Sequence, residues 1–164
     1  MASRKQVLIP IAIAAFVIGT VGIMTIPKDV KLQSAEFPIG TIKVDDIVLE
    51  VQIADTDPRR ARGLMFQEML PYNQGMLFVF EDSAIRSMWM LNMQFALDLI
   101  WFDSSGNVVH IEKDVPPCKS ALETAACTVQ NGNDKPAQYV LEVTAGFVDK
   151  FNINENSKLE IISI

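Results

Sequence analysis

Residues 7–26, VLIPIAIAAFVIGTVGIMTI, form an unbroken run of 20 positions without a charge. At about 1.5 Å of rise per residue such a helix measures about 30 Å, the thickness of a bilayer core. The run therefore predicts a transmembrane helix. Pro10 falls in the first turn, where its missing N–H has no helical partner to lose. A cleaved secretory signal is the rival reading, but its apolar region is typically about 7 to 15 residues and closes on small side chains. Here Lys28, Asp29 and Lys31 follow the run, and Gln33 precedes Ser34 and Ala35 where a small residue is wanted. The run therefore predicts an uncleaved anchor.

Arg4 and Lys5 sit on the short side of that helix, which the positive-inside rule keeps in the cytoplasm. Residues 1–6 are then a cytoplasmic leader, residues 27–38 a polar tether ending at Pro38, and residues 39–164 a domain outside the cytoplasm. The expected location is the cell membrane, single-pass, with membrane lipid as a partner of the helix. The 14 basic residues include Arg4 and Lys5, leaving 12 against 20 acidic ones beyond the leader. That imbalance argues against nucleic acid, because such affinity rests on Lys and Arg neutralising phosphates. A single histidine, His110, excludes a multi-histidine zinc site. No Gly-rich phosphate loop occurs, and no cofactor is expected.

Cys118 and Cys127 test the address independently. Outside the cell a disulfide is the natural state of such a pair, with free thiols or a two-cysteine metal site as alternatives. Closing so short a loop is worth about 2.5 kcal/mol in the chain-entropy account, within a stretch that has little periodicity of its own.

The rest of the domain reads as strands. TIKV, the turn Asp45-Asp46 and IVLEVQIA form a hairpin, with Ile47, Leu49, Val51 and Ile53 on one face at period two. MLFVF (76–80), IRSMWM (85–90), LDLIWFD (97–103), VVHIEK (108–113), QYVLEV (138–143) and KLEIISI (158–164) follow, each short and bounded by turn signals. SSGN at 104–107 is a hairpin turn in which Gly106 is free to take positive φ. Short helices are predicted from Asp57 to about Leu64 and from Ala145 to Phe151. Strands spaced in this way predict an antiparallel jelly-roll-like sandwich or barrel, mainly β, with one or two short helices.

Five segments then carry a family likeness: RARGLMF (60–66), LPYNQGMLFVF (70–80), WMLN (89–92), ALDLIWFD (96–103) and YVLEVTAG (139–146). Together they resemble the domain-of-unknown-function family 192, whose members are often described as uncharacterised exported or membrane proteins. The likeness spans roughly residues 44–164. It implies a compact, mainly β fold related to jelly-roll sandwiches, and it implies no activity. Leu91 stands where that family usually has a basic residue, Met93 where it has Thr and Ala96 where it has Pro. Asn156 and Ser157 replace a usual Gly-Asp.

Asp98 is the first candidate for chemistry, because alternation in LDLIWFD groups it with Ile100 and Phe102. A carboxylate among apolar side chains needs a partner or a raised pKa. Arg62 is the expected partner, with Trp89 and Asn92 able to supply neutral hydrogen bonds. One reading makes this a ligand pocket in which Arg62 clamps and Asp98 orients or acts as a base. The other makes it an ion pair that locks a helix onto the sheet. Glu142 raises the same question but could equally face solvent. His110 alternates with Val108 and Glu112 beside a turn and is expected to face water. Trp89 and Trp101 could stack a sugar ring, though buried core is their commoner fate.

Met65, Met69, Met76, Met88, Met90 and Met93 crowd into one stretch of the chain. Methionine commonly fills irregular cores. Outside the cytoplasm clustered thioethers also hold Cu(I), which makes Met88, Met90 and Met93 copper candidates. The leading expectation is thus an anchored outer domain that binds a small molecule or envelope component. An enzyme using Asp98 and Arg62, and a methionine-lined copper carrier, are the alternatives.

Overall fold

The computed structural model describes residues 37–118, 127–130 and 135–164. The expected anchor at 7–26 and most of the tether lie outside the described residues. Among the described residues no helix is long and apolar enough to cross a membrane.

The described residues form nine strands and two short helices. In chain order they are β1 (Ile39–Val44), β2 (Ile47–Ala54), α1 (Asp57–Arg62), β3 (Gln74–Ala84), β4 (Ser87–Trp89), β5 (Leu97–Phe102), β6 (Val108–Val115), β7 (Thr128–Gln130), β8 (Ala137–Thr144), α2 (Phe147–Phe151) and β9 (Leu159–Ser163). Seven strands make one sheet in the order β6-β5-β8-β3-β2-β1-β9, and β4 pairs with β7 in a separate ribbon. The predicted hairpins are present. Val44 faces Ile47 across the Asp45-Asp46 turn, and Asp45 takes φ +52, a left-handed value its short polar side chain tolerates.

The fully antiparallel sandwich or barrel is not what forms. β2 and β3 run parallel, with Val51 beside Gly75 and Ala54 beside Phe78. The reason is the connection: residues 55–73, including α1, are long enough to carry the chain back to the starting end of β2, which a tight turn cannot do. The sheet is therefore mixed. It also stays open as a barrel, since its two edge strands meet at a single bridge, Asn107 to Lys158. There the Leu159 N–H donates to the Gly106 carbonyl at 2.8 Å. The β4–β7 ribbon was only half visible in the sequence, because the expected strand 85–90 shortens to Ser87–Trp89 and β7 lies in a polar stretch.

Both faces of the sheet are covered. One carries Ile42, Leu49, Val51, Leu77, Ile100, Phe102, Leu141, Val143 and Phe147. The other carries Met76, Phe78, Leu97, Leu99, Trp101 and Val140 under Met88, Met90, Met93 and Phe95. Every residue of β5 is consequently buried. That explains its continuous apolar reading, the mark of a strand covered on both sides.

The disulfide forms, with the Cys118 and Cys127 Cα atoms 5.6 Å apart, inside the usual range for the bond. Its main effect is local. The Met90 N–H donates to the Cys127 carbonyl at 2.9 Å, the Cys118 N–H to the Met90 carbonyl at 2.9 Å and the Asn92 N–H to the Cys118 carbonyl at 2.8 Å. The two cysteines thus frame the segment Met90–Asn92 from either side.

Gly106 holds the corner where the sheet edges meet. Its φ is +80, and a Cβ there would strike the Leu159 carbonyl oxygen. Gly106→Ala is expected to lower urea-unfolding stability by about 2 kcal/mol or more, through backbone strain plus displacement of β9. An unchanged midpoint would show that this corner does not hold the sheet edges together.

Candidate functional site

Asp98 and Arg62 are not brought together. Asp98 lies fully buried on the face of β5 that meets α2, and both its oxygens are taken by backbone. Oδ1 accepts from the Asp114 N–H at 2.9 Å and Oδ2 from the Val148 N–H at 2.8 Å. The carboxylate pins the end of β6, where Asp114 has φ +53, to the first turn of α2. This is a structural brace. Arg62 instead lies against the Phe37 ring, its guanidinium carbon 5.8 Å from the ring centre. No ion pair links it to Asp98 among the described residues.

The other candidates collect on the opposite face. The Phe66 N–H donates to the Asn92 carbonyl at 3.0 Å, joining the loop that follows Arg62 to the framed segment Met90–Asn92. Trp89 is 39% exposed there, and Phe66 and Met69 are 69% and 67% exposed. Arg62 at the end of α1, Trp89 at the end of β4 and Asn92 in the turn that follows therefore lie on this side, while Asp98 stands across the sheet from them. Trp101 is core, its indole N–H donating to the Arg86 carbonyl at 2.9 Å. His110 does not face water as expected: its ring is half-buried 5.3 Å from that of Trp101, with Nε2 3.0 Å from Glu112 Oε1.

Glu142 is the residue that stands out on this face. Alternation along β8 puts it with Val140, opposite Leu141 and Val143. Cross-strand register sets it between Met76 of β3 and Leu99 of β5. Gly75 lets β3 come this close, since a Cβ at that position would sit 2.7 Å from the Glu142 carbonyl oxygen. The side chain is 1% exposed, and among the described residues neither Oε1 nor Oε2 has a hydrogen-bond partner. Burial pushes its pKa from 4.5 up to about 8. At neutral pH the group is held mainly as the neutral acid, able to donate one hydrogen bond and accept others. Orphaned buried carboxyls are costly to keep, and this one sits on the face of the loops just described.

The methionines lie over the same face. Met90 and Met93 are linked by a turn in which the Met93 N–H donates to the Met90 carbonyl at 3.3 Å, with Asn92 at φ +58. Both are buried in one cluster with Met76 and Met88. A separate cleft of about 640 Å³ runs between β6 and the α2 end. Its polar side chains are largely engaged already: His110 Nε2 lies 3.0 Å from Glu112 Oε1, and Lys113 pairs with Asp149 at 2.8 Å. Glu142 has no such partner among the described residues, so we place the candidate site on its face rather than in that cleft.

A mixed β sheet covered on both faces, with a disulfide-framed segment on the side of the buried Glu142, defines the class of this domain. The chain belongs to the DUF192 family, described as an uncharacterised ACR, whose profile matches residues 40–161. A UPF0127 protein of Thermococcus kodakarensis, TK1120, is 32% identical over 108 residues, 65% of this chain and 60% of that protein. The chain thus spans less than two thirds of the length of that relative. Among solved structures, a Sinorhizobium meliloti protein described as a proposed transcription regulator superposes with TM-score 0.67 at 26% identity, over 77% of this chain and 95% of that one. A Novosphingobium aromaticivorans protein of unknown function gives TM-score 0.68 at 23% identity, over 78% and 89% respectively, and shows the shared fold.

Two outcomes follow for the carboxyls. Asp98→Asn leaves one buried N–H facing an amide donor and should cost about 3 kcal/mol in urea unfolding. A neutral result would reopen Asp98 as a ligand residue. Glu142 acts in the opposite sense. Between pH 4.5 and about 8 the unfolded chain releases the proton that the folded chain keeps, so stability falls as pH rises through that window. The fall is on the order of 4 kcal/mol. Comparing unfolding curves from pH 5 to 8, Glu142→Gln should flatten this slope, and an unchanged slope would mean that Glu142 is solvated.

Proposed function

We propose that this protein is a membrane-tethered domain that works outside the cytoplasm and binds a small molecule or envelope component through Glu142. The observation that carries the reading is the Glu142 carboxyl, buried with both oxygens unpartnered among the described residues, on the sheet face covered by the segments that bear Arg62, Trp89 and Asn92. A folded chain gains nothing by burying such a group unless something else satisfies it. Phe66, Met69 and Trp89 are exposed in those segments and supply an apolar surface of the kind ligands cover. The uncharged run at 7–26 and the oxidised cysteine pair support the address.

The enzyme reading loses its support, since Asp98 has both oxygens engaged by backbone and Arg62 lies elsewhere. Nucleic acid, suggested by the description of the Sinorhizobium relative, fits poorly with a formal charge of -6.

The test has two parts. The full chain should resist extraction from membranes by alkaline carbonate and be digested by protease added from the outer side; release by carbonate would overturn the tether. A thermal-shift screen of small polar and cationic compounds should give stabilising hits that Glu142→Gln abolishes. Hits that survive the substitution would move the site away from Glu142.

A further inference from the structure

We infer that Glu142, Met76, Met90 and Met93 form a site for a soft monovalent cation, Cu(I) being the physiological one. The inference rests on the binding reading above and names its ligand class. The floor is set by register: Met76 stands directly beside Glu142 on the neighbouring strand. The roof is the turn Met90–Met93, whose closing hydrogen bond holds the two Cα atoms within about 7 Å. Both roof methionines are 1% exposed and share one buried cluster with Met76. The Met93 methyl lies 3.8 Å from the Cβ position above Gly63, beside the Phe78 ring. Phe78 in turn sits on the sheet face diagonal to Glu142.

Charge selects the ligand. Thioethers bring no charge of their own, so the Glu142 carboxylate is the one charge this ligand set supplies. One univalent cation matches it. Thioether sulfur favours Cu(I) among biological cations. Calcium and magnesium need six or more oxygen ligands, whereas this arrangement supplies two among sulfurs. A zinc ion would leave a net positive charge in an apolar interior, without the thiolates or imidazoles it prefers. Cys118 and Cys127 are spent in the disulfide and act by framing the roof.

The experiment uses the full chain in detergent micelles under anaerobic conditions. Cu(I) is titrated against a competing chelator, and Ag(I) serves as a redox-inert probe read by the methionine methyl NMR signals. We expect one equivalent per chain, shifts confined to Met76, Met90 and Met93, and roughly tenfold or greater weakening in both Glu142→Gln and Met93→Leu. Met93→Leu nearly conserves volume and should fold. Ile162→Leu, at an exposed position on β9, should bind as the parent does. Absence of stoichiometric binding, or equal binding by Glu142→Gln, overturns the cation assignment. If Cu(I) fails while the thermal-shift screen yields hits dependent on Glu142, the binding reading stands and only the ligand changes; if both fail, both fall.

Discussion

The sheet is covered on both faces, and most of what is distinctive here depends on that. Because β5 and its neighbour β8 have no solvent side, any polar group they carry must find a partner inside the protein or do without. Two carboxyls fall on these strands. Asp98 on β5 accepts two backbone N–H groups that no helix or strand ladder uses, and in doing so ties α2 to the sheet. Glu142 on β8 points to the other face and receives no hydrogen bond from the described residues. Similar side chains, adjacent strands and near-complete burial give a brace in one case and an unmet demand in the other.

The difference lies in what covers each face. Over Asp98 lie α2 and the end of β6, whose backbones turn there and bring spare donors. Over the Glu142 face lie side chains without strong donors: thioethers, aromatic rings and the loop framed by Cys118 and Cys127. That loop is held from outside itself, through cysteine backbone groups, so its methionines need no regular structure of their own to be fixed in place.

Much of the fold was legible in the sequence because alternation and turn chemistry are local. The 45–46 and 104–107 turns, the core strands and α1 all follow from residues within a few positions of one another. The parallel β2–β3 pair was not legible, since only the path of the 55–73 connection decides it. Asp98 was recognisable as a buried acid, but its partners are the main-chain groups of Asp114 and Val148, which no side-chain pattern announces. Glu142 remained ambiguous for a related reason. Alternation assigns a side chain to a face but cannot say whether that face is covered, and here the cover comes from β4, β7 and the 90–93 turn.

The pairing of β1 with β9 brings the two ends of the described domain side by side. Thr41 faces Ser163, and Ile164 touches the Gly40 position. The strands run antiparallel from that shared end, so a pull between residue 38 and residue 164 loads their hydrogen bonds one after another instead of all at once. The ladder would open like a zipper at low force, leaving the central strands and the Glu142 face intact. Joining the same two points by a short linker and cutting the chain elsewhere would spare every strand pair, which makes this domain a natural subject for circular permutation.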